Sequence, residues 1–146
     1  MRIFIKKILP NLLVVFLVFL FFSQAEADWR KVQIFKKVDV PFDMKYKDLI
    51  MEKGQFDFEI LSERSLNIFQ LKIYKKGKSL CAIDGKVLRD GLPGARGEKM
   101  EEVPDEPTLQ IKRILVKKVV YFIFETGKLA HLFPGFVIQF ELEYEE

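Results

Sequence analysis

The sequence predicts an all-β protein, an antiparallel sandwich or barrel of about eight strands that follows an N-terminal signal peptide. Apolar and polar residues alternate with a period of two in several segments, turn residues recur at short intervals, and no window has helical periodicity. Strong helix formers are also scarce, because residues 28–146 contain only three alanines, Ala82, Ala95 and Ala130. Many short strands separated by turns fit a sandwich and a barrel equally well.

Residues 1–27 have the three-part order of a secretory signal peptide. Basic residues come first, an unbroken apolar run covers residues 12–22, and Ala25 and Ala27 have the small-x-small spacing of a cleavage site. The alternative is a retained membrane anchor, but this run would rise only about 16 Å as a helix in a hydrocarbon core of about 30 Å. We therefore expect cleavage after Ala27, a periplasmic or secreted location, and no stable membrane span afterwards.

The net charge of +3 belongs mostly to this first segment. Residues 1–27 hold three of the 24 basic residues and one of the 21 acidic residues, so residues 28–146 carry a net charge of only +1. That balance argues against nucleic-acid binding, and the ordinary apolar content argues against disorder. We expect residues 28–146 to fold as a single domain.

The first strand of the domain is predicted over residues 38–46, where apolar and polar residues alternate strictly. Pro41 cannot donate a main-chain hydrogen bond, which predicts an edge strand or a bulge at that position. A short apolar run at 49–51, a turn at 52–54 and a second alternating run at 56–60 follow.

The next segment predicts a hairpin. Polar residues 62–65 break the pattern, and the apolar positions then change phase between Ile68 and Phe69, which predicts a bulge there. Residues 75–78 form a tight turn in which Gly77 supplies a positive φ, so residues 69–74 should pair with residues 79–83.

The last third of the chain predicts more strands. Residues 108–115 place Leu109 and Ile111 on one face, and Lys117-Lys118 marks the reversal. Residues 119–124 are apolar on both faces, which predicts a central strand covered on two sides. The remaining predicted elements are a hairpin turn at Thr126-Gly127, a returning strand at 128–133, a turn at Pro134-Gly135 and a strongly alternating final strand at 136–145.

Residues 84–107 show no periodicity and are rich in glycine and proline, which predicts a long loop. Such a loop is either a flexible surface segment or a contact site for a partner or ligand. Its glycine-rich stretch at 91–97 lacks the Gly-Lys-Ser/Thr ending of a phosphate loop, so it does not indicate nucleotide binding.

A search for chemistry in the sequence predicts no catalytic, cofactor-binding or metal-ligating residues. His131 is the only histidine, and with Cys81 as the only cysteine the chain cannot form an internal disulfide or a recognisable zinc site. Cys81 lies in an apolar strand-like run and is expected to be a buried, inert thiol. The serines Ser62, Ser65 and Ser79 lie in no nucleophile elbow. The carboxylates are expected to form solvated strand faces: Asp57, Glu59, Glu141, Glu143 and Glu145. The lysine pairs are expected to protect strand edges and aid solubility: Lys36-Lys37, Lys75-Lys76 and Lys117-Lys118.

Aromatic bulk is the strongest feature of the predicted domain. Ten phenylalanines follow residue 27: Phe35, Phe42, Phe56, Phe58, Phe69, Phe122, Phe124, Phe133, Phe136 and Phe140. They predict a phenylalanine-rich core, and the alternative is a barrel or split sandwich with a pocket for a small apolar ligand.

One stretch resembles a known family. Residues 40–43 read Val-Pro-Phe-Asp, and Lys53-Gly54-Gln55-Phe56 follows a short apolar run. This order is similar to an uncharacterised family of small exported bacterial β-proteins with a Val-Pro-Phe stretch and then a Gly-x-aromatic step. Here Glu52-Lys53 replaces the family's usual Pro-Ala, and Phe56 replaces its tyrosine. The resemblance covers residues 38–60, implies export and a β fold, and carries no catalytic residues.

Together these observations predict an exported domain without enzymatic activity. The leading hypothesis is a binding or structural module of the cell envelope, which contacts another envelope protein through a sheet edge or through the 84–107 loop. The alternative is a carrier of a small apolar ligand.

Overall fold

The computed structural model describes residues 28–63, 68–92 and 103–145. These residues form ten strands and no helix, which confirms the predicted all-β class. The strands are β1 (Trp29–Val40), β2 (Asp43–Tyr46), β3 (Leu49–Met51), β4 (Gly54–Glu63), β5 (Phe69–Lys75), β6 (Lys78–Asp84), β7 (Lys86–Asp90), β8 (Thr108–Ile114), β9 (Val119–Glu125) and β10 (Phe136–Glu145). The predicted signal peptide and its cleavage site after Ala27 lie outside the described residues and stay predictions.

The strands form two antiparallel sheets. Sheet I has the order β1-β4-β5-β6, and sheet II has the order β3-β2-β10-β9-β8. β7 also belongs to sheet II, because it pairs with residues 136–139 of β10, while β2 pairs with residues 143–145. Neither sheet closes on itself, so the architecture is that of a sandwich and not of a barrel.

Phenylalanine side chains fill the space between the sheets. The ring of Phe58 in β4 lies 5.0 Å from that of Phe122 in β9, and the ring of Phe69 in β5 lies 6.0 Å from that of Phe136 in β10. All ten phenylalanines of residues 28–146 are buried in the core or pack against it, which confirms the predicted phenylalanine-rich core. Such ring pairs add to the burial of apolar surface.

The chain crosses from sheet I to sheet II at Pro41. The single strand predicted over 38–46 is therefore wrong, since β1 ends at Val40 and β2 begins at Asp43. Pro41 forms neither an edge nor a bulge of one strand; it has no N–H to donate, which suits a position where the ladder stops. The alternation itself is correct, because Val40 and Met44 are buried on either side of the crossing.

The β5–β6 hairpin is confirmed, with Lys76 and Gly77 both at positive φ in its turn. The bulge predicted at Ile68 and Phe69 is wrong. β4 ends at Glu63, whose N–H donates to the carbonyl of Ile68 at 2.9 Å, so the change of phase marks a chain reversal between two strands.

Part of the predicted 84–107 loop is a strand. Residues 86–90 form β7, in which Val87 and Arg89 are half-buried while Leu88 is 48% exposed. A register shift interrupts the alternation, so Val87 pairs with buried Ile138 while Arg89 pairs with Val137 on the opposite face of β10. The segment therefore has no period of two that would predict a strand. Residues 93–102 of the loop lie outside the described residues.

The predictions for the last third of the chain are mostly confirmed. β9 is a central strand between β8 and β10, the reversal covers residues 115–118, and even-numbered residues of β10 are all buried. However, only one face of β9 is fully buried, and residues 128–133 form no strand. Their main chain bonds to residues 104 and 105 instead, because Lys128 N–H donates to Pro104 O and Leu129 N–H to Asp105 O.

Candidate functional site: the β8 edge and its apolar depression

β8 is the most regular free edge among the described strands. It pairs with β9 over seven consecutive residues without a shift of register and with no other described strand. The other sheet ends differ: β1 has two register shifts, the β5–β6 pairing has one, and β3 has only three residues. Bulges and short lengths protect edges from pairing with another chain, and β8 has neither protection.

The register shows which main-chain groups of β8 are free. Thr126 N–H donates to Phe136 O at 3.0 Å, and Tyr144 N–H donates to Lys118 O at 3.2 Å. Because the register between these two pairs is continuous, the N–H and C=O groups of the even-numbered residues of β9 point towards β10. The N–H and C=O groups of the odd-numbered residues of β9 therefore point towards β8, where these residues pair with even-numbered residues. The N–H and C=O groups of Leu109, Ile111 and Arg113 therefore point away from the sheet.

Some side chains of β8 pack against the core, and those near its end are basic. Leu109 and Ile111 pack against the core, and the guanidinium of Arg113 lies 5.0 Å from the ring centre of Phe42. Lys112 and Arg113 are exposed, and β8 contains no acidic residue. The edge therefore offers main-chain groups that pair with no other described strand, beside two positive charges.

An open apolar depression of about 240 Å³ adjoins the start of β8. Val32 and Gln33 of β1 line one side of the depression. Pro107, which precedes β8, and Phe124 of β9 also line it, and residues 129–132 form its rim. Leu129 is 70% exposed and Leu132 is 38% exposed. Burial of these two leucines and of the apolar depression by a partner would be favourable, as is typical of an interaction site.

Hydrogen bonds and an ion pair hold the rim of this depression in place. The Thr126 hydroxyl donates to Phe133 O and accepts from the Phe136 N–H at 3.0 Å, which closes residues 126–135 at their base. The Lys128 ammonium group lies 2.9 Å from the Asp105 carboxylate and ties the segment to the residues before β8. The leucines of the rim are therefore presented by a hydrogen-bonded scaffold.

The histidine and the serines considered in the sequence lie in different parts of the fold where the structure describes them. His131 is exposed on the rim of the depression, Ser62 is buried in β4, Ser79 is exposed in β6, and Ser65 lies outside the described residues. Cys81 is half-buried and not fully buried as predicted. Its partial burial raises the pKa of the thiol to about 11, which lowers the fraction of reactive thiolate at neutral pH.

The carboxylates and lysine pairs lie mostly where the sequence places them. Glu141, Glu143 and Glu145 are exposed, whereas Asp57 and Glu59 are half-buried on the outer face of β4. Lys75-Lys76 and Lys117-Lys118 lie at turns, but Lys36-Lys37 lies inside β1 at a register shift. The sequence pattern predicted β8 as a strand without indicating that it forms an edge, because edge position depends on pairing between distant segments.

Within the described ranges, no group of three or more histidine, cysteine, aspartate or glutamate side chains could hold a metal ion. The same residues include no helix with the length and apolar character needed to cross a membrane. Comparisons with models of protein families, with curated proteins and with solved structures find no match. The resemblance of residues 38–60 to a family of exported β-proteins therefore stays a prediction.

Proposed function

We propose that the protein is an exported, non-catalytic binding module of the bacterial cell envelope that accepts an extended segment of a partner protein along β8. The observation that carries this proposal is the regular edge with three outward-facing main-chain pairs at Leu109, Ile111 and Arg113. An added strand would form main-chain hydrogen bonds with these groups, and side-chain pockets would supply specificity. The periplasmic or secreted location rests on residues 1–27 of the sequence.

The chemistry of the surface defines the partner segment. Its strand would run beside Leu109 and Ile111, an apolar side chain at one end would enter the depression next to Leu129, and carboxylates at the other end would face Lys112 and Arg113. We therefore expect a segment with an apolar end, an acidic end and no proline between them, since proline cannot donate to the ladder.

The alternative function, a carrier of a small apolar ligand, has less support. The rings of ten phenylalanines occupy or border the space between the sheets. The depression at β8 has about 240 Å³, below the range of about 300–1,000 Å³ typical of small-molecule sites. It matches a single side chain better than a whole lipid-like ligand.

The test uses a proline that blocks the edge without breaking the β8–β9 ladder. Peptides are first selected from a random displayed library on the wild-type protein, and their affinities are then measured for Ile111→Pro and for Ile111→Ala. Both variants lose the same apolar side chain, but only proline removes the outward N–H and adds a ring at the edge. We expect binding to Ile111→Pro to be at least about tenfold weaker than binding to Ile111→Ala, which equals about 1.4 kcal/mol.

Circular dichroism of both variants first establishes that each is folded. Equal affinities of two folded variants would show that the peptides bind elsewhere, and the proposed function would then be wrong. Selection of peptides with neither an apolar nor an acidic end would contradict the predicted chemistry of the partner.

A further inference from the structure

A second surface, at one end of sheet I, gathers four lysines around an open cleft of about 440 Å³. Lys37 comes from β1, Lys53 precedes β4, and Lys75 and Lys76 come from the end of β5 and its turn. Of the described residues that line this cleft, Asp57 is the one acidic residue. The cleft therefore has a local net charge of +3.

Two carboxylates bond to the main chain of cleft lysines. Asp57 accepts a hydrogen bond from the Lys37 N–H at 2.8 Å, within the register shift of β1, and Asp43 accepts one from the Lys53 N–H at 2.7 Å. Among the described residues, none of the four lysine ammonium groups forms an ion pair with a carboxylate. Asp57 and Asp43 therefore hold the main chain of Lys37 and Lys53 and do not neutralise the ammonium groups of the cleft.

Lys75 is the best-positioned of the four cations. Its ammonium group donates to the Glu52 carbonyl at 3.0 Å and lies 4.9 Å from the ring centre of Phe56. A carbonyl and an aromatic face hold the cation in place without neutralising its charge. Two of its three N–H donors remain for a ligand.

We propose that this cleft binds a ligand that carries two or more phosphate groups. A single negative charge gains little from exposed lysines in water, because the solvent screens each pair. Several negative charges on one ligand can contact several lysines at once, and lysine binds phosphate as a point charge. This site lies on sheet I and is separate from the β8 edge of the proposed function, so either can fail without the other.

The test compares two variants that remove the same charge. Lys37→Gln/Lys76→Gln removes two cations of the cleft, and Lys117→Gln/Lys118→Gln removes two from the turn before β9. Binding of pyrophosphate is measured by calorimetry at low salt, and binding to vesicles of cardiolipin, a lipid with two phosphates, in phosphatidylcholine is measured by flotation. We expect the cleft variant to bind at least about tenfold more weakly than both the wild type and the Lys117/Lys118 variant.

The two probes distinguish the source of the phosphate. Lysine-dependent binding of pyrophosphate supports a soluble ligand, and lysine-dependent binding of vesicles alone supports a lipid headgroup. Absence of binding to both probes would overturn the proposal. Equal losses in the two variants would also overturn it, because they would reflect overall charge and not the cleft.

Discussion

At the scale of single residues, Gly85 determines how closely the two sheets approach. It lies between β6 of sheet I and β7 of sheet II, and its N–H donates to Phe69 O at 2.8 Å. A Cβ atom there would lie 2.5 Å from the Phe140 ring and 2.6 Å from a methyl group of Ile138. Only glycine allows the chain to cross against the side chains of β10.

We therefore predict that Gly85→Ala lowers the free energy of unfolding by about 1–3 kcal/mol, because the added methyl group overpacks the core. Urea denaturation measures the change. Gly91→Ala is the matched control, since a Cβ atom at Gly91 meets nothing within 4 Å. Equal stability of the two variants would show that the crossing has room to relax.

Thr126 is a buried polar residue that closes the rim of the depression. Replacement with valine keeps its shape but removes the hydroxyl bonds to the Phe136 N–H and the Phe133 carbonyl, and only the 3.3 Å bond between these two groups is left. We expect Thr126→Val to lower the free energy of unfolding by about 1–3 kcal/mol. Thr108→Val, at the start of β8, should change stability much less, and the reverse order in thermal unfolding would contradict the role given to Thr126.

Cys81 predicts a pH dependence. Burial raises its pKa from 9.0 to about 11, so the folded protein retains the thiol proton at a pH where the unfolded chain loses it. Relative to Cys81→Ala, this contribution to stability is complete below pH 9.0 and is lost as the pH rises towards about 11. Alkylation by iodoacetamide should show a midpoint near pH 11 in the folded protein and near 9.0 in urea, and one common midpoint would refute burial of the thiol.

At the scale of elements, β7 is held to sheet II by more than its ladder. Arg89 donates to the Glu125 carboxylate at 2.8 Å and to the Gly135 carbonyl at 2.9 Å, across β10. Arg89 and Glu125 flank Val137, which pairs with both of them. This bridge joins β7 to β9 through side chains of which only about a fifth is exposed.

We predict that Arg89→Met increases amide hydrogen exchange in β7 at least about fivefold, which corresponds to about 1 kcal/mol, because the charged hydrogen bonds are lost. Lys86→Met, which changes an exposed cation of the same strand, is the control. Unchanged exchange in Arg89→Met would mean that the ladder with β10 alone holds β7.

Local patterns predicted the strands that alternate and failed where distant contacts decide the structure. β10 alternates in sequence and in burial because one of its faces covers the core along its whole length. Residues 128–133 are mostly apolar, but their main chain bonds to residues 104 and 105. β7 has an arginine on the outer face of sheet II that bonds to Glu125 across β10. Neither contact has a signal within its own segment.

At the scale of the whole molecule, the chain passes between the sheets three times, from β1 to β2, from β3 to β4 and from β6 to β7. The fold class and the phenylalanine core followed from the sequence, because alternation and composition record burial directly. The free β8 edge and the lysine cleft did not, since both depend on which distant strands are neighbours. The sequence predicts that the lysine pairs protect edges and aid solubility, whereas in the structure Lys37, Lys75 and Lys76 line one cleft.

Amide hydrogen exchange, measured residue by residue along β8, tests whether this edge accepts a partner strand. In the free protein, we expect fast exchange at Leu109, Ile111 and Arg113, whose N–H groups point outward, and slow exchange at the even-numbered residues that pair with β9. A selected peptide should slow the three odd-numbered amides and leave the others unchanged. Slow exchange at the odd-numbered amides in the free protein, or no change on peptide binding, would show that β8 is not the binding edge.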